Sequence, residues 1–240
     1  MAQRSLAKRA WYNFLRTLCR LGTVVVFRLR SSGREHVLPT GGGLVLSNHQ
    51  SQLDPVLVGL ACNRRLNFLA RQSLFRFGPF RWLINSLDAI PIDRDGTDLG
   101  GLKETLKRLK QAELVLIFPE GTRTSDGEVA SLKPGFVAIA RRAGVPLYPA
   151  ALDGAFDAWP RTQALPRRAV IHVVYGPPLL PHEIERYDDA GLVAEIESRI
   201  RACHAAARLG RYRAQHPGVL QRCAALGVAK NQQHDNRSNR

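Results

Sequence analysis

The sequence predicts a single α/β domain, in which a mixed, mainly parallel sheet is flanked by helices and preceded by an amphipathic helical arm. Short apolar runs alternate along the chain with stretches of helical periodicity, which is the pattern of strands joined by crossover helices. Crossover helices place the strands that they connect mostly in parallel. A length of 240 residues is enough to bury one full core.

The first predicted element is a basic amphipathic helix over residues 6–30. Arginines are interleaved there with apolar residues at helical spacing, namely Leu6, Trp11, Phe14, Leu15, Leu18, Leu21, Val25 and Leu29. Such a helix is typical of proteins that lie at a membrane interface, although a helix packed on its own domain has the same pattern. We predict that residues 1–35 form a membrane-associating arm. No run of about 18 or more apolar residues occurs, so a transmembrane helix is not expected.

Alternating strands and helices are predicted after the arm. Asp54 and Pro55 open a helix as its N-cap and first-turn residue, and Gly144 ends a later helix. The predicted strands cover residues 44–47, 66–70, 114–118, 145–150 and 169–175. The predicted helices cover residues 54–60, 72–84, 99–109 (capped by Asp98), 134–142 and 190–208. We predict a catalytic domain over residues 36–215 and a polar, basic and flexible tail over residues 216–240.

The chain is strongly basic, which indicates an anionic partner. Lys and Arg total 35 against 20 Asp and Glu, so the formal net charge is +15. Charge alone leaves open nucleic acid, an anionic membrane surface and phosphate-bearing substrates. No helix-turn-helix, zinc-finger or aromatic-and-basic sheet pattern is visible, so no nucleic acid is expected as a partner.

The cysteines and the amino terminus indicate the cellular compartment of the protein. Cys19, Cys62, Cys203 and Cys223 form no Cys-x-x-Cys pair, so neither a disulfide framework nor a zinc site is predicted. This usage fits a reducing compartment. The basic amino terminus lacks a signal-peptide cleavage pattern. We therefore expect a peripheral or monotopic protein at the cytoplasmic face of a membrane.

A histidine and an aspartate lie five residues apart directly after the first predicted strand, in the sequence Asn48-His49-Gln50-Ser51-Gln52-Leu53-Asp54. Functional groups collect at the carboxyl ends of sheet strands. A carboxylate bonded to one ring nitrogen of a histidine fixes its tautomer and leaves the other nitrogen to accept a proton. The pair therefore predicts a general base. The alternative interpretation is an N-cap aspartate beside a hydrogen-bonded loop histidine.

A second polar segment, Phe118-Pro119-Glu120-Gly121-Thr122-Arg123, also follows a predicted strand. A glycine there permits a turn whose backbone amides face outward, which suits a phosphate or an oxyanion. Arg123 offers a planar fork for a phosphate. Glu120 is expected to hold an arginine or a substrate hydroxyl. A surface turn with a salt bridge is the alternative, and Arg94 is a further candidate for binding an anion.

No dedicated nucleophile accompanies these two segments. The sequence contains no Gly-x-Ser-x-Gly, and no cysteine stands beside a histidine. Direct attack by a substrate hydroxyl is therefore favoured over a covalent acyl-enzyme, with Ser51 or Ser47 as the alternative nucleophile. The remaining histidines lack metal-ligand spacing, and no metal site is predicted.

Taken together, the motifs resemble the glycerolipid acyltransferases typified by 1-acylglycerol-3-phosphate acyltransferase. Asn48 to Asp54 is similar to the Asn-His-x-Ser-x-x-Asp block of that family, and Phe118 to Arg123 matches its Phe-Pro-Glu-Gly-Thr-Arg block. Residues 90–94 (Ile-Pro-Ile-Asp-Arg) and 145–149 (Val-Pro-Leu-Tyr-Pro) resemble two further blocks in the same order. Arg71 stands where such proteins usually carry a basic residue. The resemblance spans about residues 36–180.

The resemblance implies a role for each motif residue. His49 and Asp54 would be the catalytic dyad. The glycerol-phosphate site of the acceptor would be formed by Arg94, Glu120, Gly121, Thr122 and Arg123. The acyl donor would be acyl-CoA or acyl carrier protein, with no cofactor and no metal. The acceptor would be lysophosphatidic acid, which gives phosphatidic acid for phospholipid synthesis.

Two alternatives stay open at this point. The same chemistry fits another acceptor: glycerol-3-phosphate, another lysophospholipid or a lyso-amino-acid lipid. A non-catalytic module that binds nucleic acid or a membrane is a different class, motivated by the net charge of +15.

Overall fold

Seven strands form one sheet in the computed structural model, which describes residues 6–71, 90–92 and 99–218. The strands are β1 (Arg30–Ser32), β2 (Gly43–Ser47), β3 (Leu66–Arg71), β4 (Ile90–Ile92), β5 (Leu114–Ile117), β6 (Leu147–Asp153) and β7 (His172–Tyr175). Their order in the sheet is β1-β7-β6-β2-β5-β3-β4. Neighbouring strands are parallel throughout this described sheet except β6 and β7, which are antiparallel. The prediction of a mixed, mainly parallel sheet is confirmed.

Helices cover both faces of this sheet. They are α1 (Leu6–Phe27), α2 (Asp54–Ala61), α3 (Leu99–Lys110), α4 (Gly135–Ala143), α5 (Ala155–Ala158), α6 (Pro181–Ile184) and α7 (Asp189–Gln215). No helix within the described ranges is long and apolar enough to cross a membrane. The helix predicted over residues 72–84, the capping residue Asp98 and the predicted tail from residue 219 onward lie outside the described residues.

The core has two halves because side chains along each strand alternate between the faces of the sheet. On one face Val45 and Leu116 pack with Leu57 of α2 and with Phe27 at the end of α1. The opposite face packs Leu44, Leu46 and Val115 against α3, α4 and α7. Helix α7 contributes a row of apolar residues at helical spacing to this face: Leu192, Ile196, Ile200, Cys203 and Ala207.

Two helix boundaries differ from the predicted ones by several residues, for identifiable reasons. The first helix ends at Phe27 rather than at residue 30, because Arg28 takes a φ of 43°, outside the helical region. Residues 30–32 then form β1, which pairs with β7. The last helix continues to Gln215 rather than to residue 208. It ends where His216 precedes Pro217, since a residue before proline disfavours the helical conformation.

The carboxyl ends of β2 and β5 lie side by side. These strands are parallel neighbours in register from Gly43 opposite Leu114 to Leu46 opposite Ile117. The segments that follow them carry the two sequence motifs. The fold therefore brings residues 48–54 and 118–123 to one edge of the sheet, as the strand pattern predicted.

Candidate active site

Asn48 fixes the start of the loop between β2 and α2. Its side-chain amide donates to Leu152 O at 3.0 Å and accepts from Leu152 N at 2.9 Å, so it completes a backbone-like pairing with β6. The residue is fully buried. His49 therefore leaves the sheet from a fixed point.

His49 and Asp54 are in direct contact. The Nδ1 atom of His49 lies 2.8 Å from Oδ2 of Asp54. That oxygen also accepts hydrogen bonds from the backbone amides of Gln50, at 2.5 Å, and Ser51, at 2.7 Å. The N-cap position belongs to Leu53, and Asp54 is the first residue of α2. The prediction of Asp54 as N-cap is wrong, because its carboxylate points back to the preceding loop rather than to the first helical amides.

The environment of the pair orients the imidazole. Asp54 is fully buried, and burial raises the pKa of its carboxyl, while the hydrogen bonds from His49, Ser51 and Gln50 oppose that rise. The ring of His49 stacks on Phe118 with centroids 4.0 Å apart and planes 13° apart. Its side chain is 17% exposed. With Nδ1 directed to Asp54, Nε2 is the ring nitrogen that can exchange a proton with a ligand.

Glu120 lies beneath His49 rather than in solvent. Its Oε1 accepts a hydrogen bond from the backbone N–H of His49 at 3.1 Å, and the residue is 3% exposed. Burial raises the pKa of the Glu120 carboxyl to about 7, and nearby Asp54 adds to the rise. Oε1 thus has a main-chain partner, and the expected contact of Glu120 with an arginine or a substrate hydroxyl stays a prediction. Glu120 joins the two motifs through this main-chain contact.

One backbone amide of the turn after Glu120 is already hydrogen-bonded within the turn. Gly121 has a φ of 73°, and its N–H donates to Phe118 O at 3.0 Å. Of the turn amides predicted to face outward, that of Gly121 is engaged within the turn. The N–H of Thr122, in an exposed residue, donates to no other described residue. Thr122 N–H is therefore an amide of this turn that can bind an anion.

Lys133 is a cationic residue of the site that the sequence analysis missed. A Cβ atom at Gly121 would lie 3.0 Å from its Nζ, so the ammonium group lies directly over the turn. The contact is held by Lys133 N, which donates to Pro119 O at 2.8 Å. Lys133 lies ten residues beyond the motif, so no local sequence pattern predicts this contact. Arg123 is half-buried at the end of the turn, and Arg94 lies outside the described residues.

The side chains of Gln50 and Ser51 fix the loop between β2 and α2 by hydrogen bonds to neighbouring segments. The Gln50 side chain donates to Gly127 O at 2.6 Å and accepts from Ala155 N and Phe156 N at 3.2 Å each. The hydroxyl of Ser51 donates to Trp159 O at 2.9 Å, and the residue is fully buried. Its position excludes the alternative of Ser51 as a nucleophile that meets a substrate.

Ser47, the other alternative nucleophile, is also fully buried. Within the described ranges no group of three or more His, Cys, Asp or Glu side chains is arranged to hold a metal ion. A cavity of about 260 Å³ beside Gln50 is lined by Asp153, Arg208 and Arg211 among others. The arginines there pair with acids: Arg211 Nη1 is 3.1 Å from Asp153 Oδ2, and Arg208 Nη2 is 2.6 Å from Glu128 Oε1. This cavity is not the predicted anion site.

The chain resembles known proteins over the region that holds both motifs. The sequence model of the acyltransferase family matches residues 28–153, which is more than half of the chain. A curated relative from Bacillus subtilis, 1-acyl-sn-glycerol-3-phosphate acyltransferase, is 34% identical over 119 residues, which cover 49% of this chain and 59% of that protein. A relative of the same name from Pseudomonas aeruginosa is 32% identical over 171 residues, which cover 70% and 64% of the two chains.

A third curated relative is the chloroplastic 1-acyl-sn-glycerol-3-phosphate acyltransferase LPAT1 of Arabidopsis thaliana, 28% identical over 61% of this chain and 42% of its own. The chain thus spans between 42% and 64% of the length of these relatives. Among solved structures, the 1-acyl-sn-glycerophosphate (LPA) acyltransferase PlsC from Thermotoga maritima matches with a TM-score of 0.72 at 22% identity. That match covers 84% of this chain and 81% of the other, and it shows a shared fold.

Proposed function

The chain belongs to the acyltransferase family, and from that premise we propose that it moves a fatty acyl group from acyl-CoA or acyl carrier protein to the 2-hydroxyl of 1-acylglycerol-3-phosphate. The product is phosphatidic acid. The observation that carries the proposal is the contact of 2.8 Å between His49 Nδ1 and the buried carboxylate of Asp54. Several relatives bear the name of this activity.

His49 acts as the base of the transfer. Its Nε2 takes the proton of the acceptor hydroxyl while that oxygen attacks the carbonyl carbon of the thioester, and Asp54 stabilises the resulting imidazolium. The C–S bond then breaks, and the thiol of the donor leaves with the proton that His49 holds. The buried positions of Ser47 and Ser51 support a direct transfer without an acyl-enzyme.

The turn after β5 binds the anionic groups of the reaction. Thr122 N–H, the ammonium of Lys133 and the guanidinium of Arg123 are the groups that we assign to the acceptor phosphate or to the developing oxyanion. Glu120 supports them indirectly, because its hydrogen bond to His49 N fixes the distance between the base and the turn. Arg94 is proposed as a further phosphate ligand on the motif resemblance alone. The reaction as written needs no cofactor and no metal.

The acceptor is a lipid, and the arm is suited to meet it. The outward residues of α1 include Phe14 and Leu21, each 60% exposed, and Val25, which is 74% exposed. The helix contains basic residues and no acidic residue. Burying such a face in the headgroup layer stabilises a peripheral protein at an anionic surface. We propose a location at the cytoplasmic face of a membrane.

The second candidate is transfer to an acceptor other than lysophosphatidic acid. The anion-binding groups assigned above recognise a phosphate rather than a particular lipid. Glycerol-3-phosphate and other lysophospholipids would meet the same turn. A neutral lyso-amino-acid lipid is disfavoured by the cationic groups at Lys133 and Arg123.

A panel of acceptors and donors tests the proposal. Purified protein is assayed with lysophosphatidic acid, glycerol-3-phosphate and lysophosphatidylcholine, each with acyl-CoA and with acyl carrier protein. We expect the highest kcat/KM with lysophosphatidic acid and loss of the activity in His49→Ala with an unchanged circular dichroism spectrum. Near wild-type turnover in His49→Ala would refute the mechanism, and a higher kcat/KM with another acceptor would refute the substrate.

A further inference from the structure

A loop beside the active site combines basic and apolar groups at its surface. It comprises residues 159–168 and is called the basic loop below. It contains Arg161, Arg167 and Arg168 and no acidic residue. Residues 161–168 are all exposed, and Leu165 is 78% exposed. The proposed reaction does not use this surface.

The basic loop is closed by its own hydrogen bonds. Arg167 N donates to Ala158 O at 2.8 Å, which joins the two ends of the loop. Inside it, the indole N–H of Trp159 donates to Gln163 O at 3.0 Å. At its base, Ser51 of the catalytic segment donates to Trp159 O at 2.9 Å. The loop is therefore a fixed projection attached to the segment that carries the base.

The topology places this projection at the edge of the sheet that holds the active site. The loop leads from β6 to the antiparallel β7, and so it lies where β6 ends, on the carboxyl side of the parallel strands. The end of α1 reaches the same edge, because Ile171 N donates to Phe27 O at 3.1 Å. The carboxyl end of α1 and the basic loop are thus anchored at the same edge, and the helix runs back from there along α2, where Arg16 donates to Cys62 O.

The charges of the loop are available to a ligand. Among the described residues, no ion pair involves Arg161 or Arg168, while Arg167 donates to the backbone carbonyl of Asp157. Guanidinium groups on either side of an exposed leucine match the layered chemistry of a bilayer surface, with phosphates outside and acyl chains beneath. An acidic protein would satisfy the arginines but would not require the exposed leucine.

We propose that the basic loop is a second membrane-contact site, in which Arg161 and Arg168 bind headgroup phosphates of anionic lipids and Leu165 enters the layer below. This inference rests on the membrane partner proposed above for α1. The exposed face of α1 and the basic loop together fix the orientation of the protein as well as its attachment. A lipid acceptor can then reach His49 from the bilayer without passing through water.

Binding to vesicles tests the loop. The full-length protein is titrated with phosphatidylcholine vesicles with and without phosphatidylglycerol, and the partition coefficient is measured by co-sedimentation. Charge reversal in Arg161→Glu with Arg168→Glu should lower partitioning onto anionic vesicles about 25-fold or more, at about fivefold for each charge removed. Leu165→Asp should lower it about tenfold.

A matched control for the charge lies at the opposite edge of the sheet. Arg142, exposed in the last turn of α4, is placed where the parallel strands begin. Five residues of strand separate the edges by about 16 Å, which exceeds the screening length of about 8 Å. Arg142→Glu should therefore change partitioning less than about twofold. Circular dichroism and thermal midpoints verify that every variant is folded.

Three other outcomes would each contradict the inference, and they can be told apart. Wild-type partitioning in the loop variants would remove the loop contact and leave the α1 contact and acyl transfer untouched. Failure of the wild type itself to bind anionic vesicles would remove both membrane contacts, while acyl transfer stays testable with dispersed substrate. A loss of rate only with acyl carrier protein as donor, at unchanged vesicle binding, would assign the loop to the carrier instead.

Discussion

Replacing Glu120 by glutamine separates the charge of a buried carboxyl from its hydrogen bond. A glutamine Oε1 can still accept from His49 N, as the Glu120 Oε1 does at 3.1 Å. Burial disfavours the ionised form of Glu120, because the side chain is 3% exposed and its pKa is raised from 4.5 to about 7. The stability difference between variant and wild type should therefore shift in favour of glutamine as Glu120 becomes ionised.

The raised pKa predicts both the sign and the size of this effect. Between pH 4.5 and about 7 the unfolded chain loses the proton of Glu120 while the folded chain retains it. The unfolded state then binds fewer protons, so this group makes the free energy of unfolding fall as pH rises. A pKa difference of about 2.5 corresponds to about 3 kcal/mol, which is fully expressed above about pH 7.

Urea unfolding of both proteins from about pH 4 to about pH 8 measures the difference. We expect the advantage of Glu120→Gln to grow with pH by about 3 kcal/mol. Glu104→Gln is the control, because the ion pair with Arg108 at 2.8 Å lowers the pKa of Glu104 below 4.5, so its stability difference from wild type should stay flat above about pH 5. A difference between Glu120→Gln and wild type that stays constant within about 0.5 kcal/mol over this range would refute the reasoning.

Three further predictions concern the site and the arm. Asp54→Asn removes the anionic partner of His49 and should lower kcat about 10²–10⁴-fold in a folded protein; a loss of less than about tenfold would contradict the role of the pair. Arg123→Ala and Lys133→Ala should each raise KM about tenfold or more for a phosphate-bearing acceptor, and equal increases for a neutral acceptor would exclude phosphate recognition. Phe14→Asp combined with Leu21→Asp should release the protein from anionic vesicles in a sedimentation assay, whereas unchanged binding would assign the face of α1 another role.

The sequence predicted those parts of the fold that depend on local pattern. Apolar runs indicated β2, β5 and β6, because buried strands of a parallel sheet are nearly continuously apolar. β1 was missed, since Arg30–Ser32 is polar and joins the sheet only through its pairing with β7. α5 and α6, of four residues each, are too short to show periodicity.

The same distinction holds in the site. The contact between His49 and Asp54 could be predicted because five residues of one loop create it. The bond from His49 N to Glu120 was not predicted, since it exists only once β2 and β5 are neighbours. The sequence predicts outward-facing amides in the turn at Gly121, but it does not reveal that Phe118 O takes the hydrogen bond of Gly121 N.

The bond between His49 and Glu120 also has a consequence for the order of folding. It spans 71 positions in the chain, whereas the contact between His49 and Asp54 spans five. Contacts that are local in sequence form before those that require a long loop to close. A refolding chain would therefore acquire its base early and the correctly spaced anion turn only with sheet assembly. Recovery of acyl transfer would then report completion of the central strand pair rather than formation of the dyad.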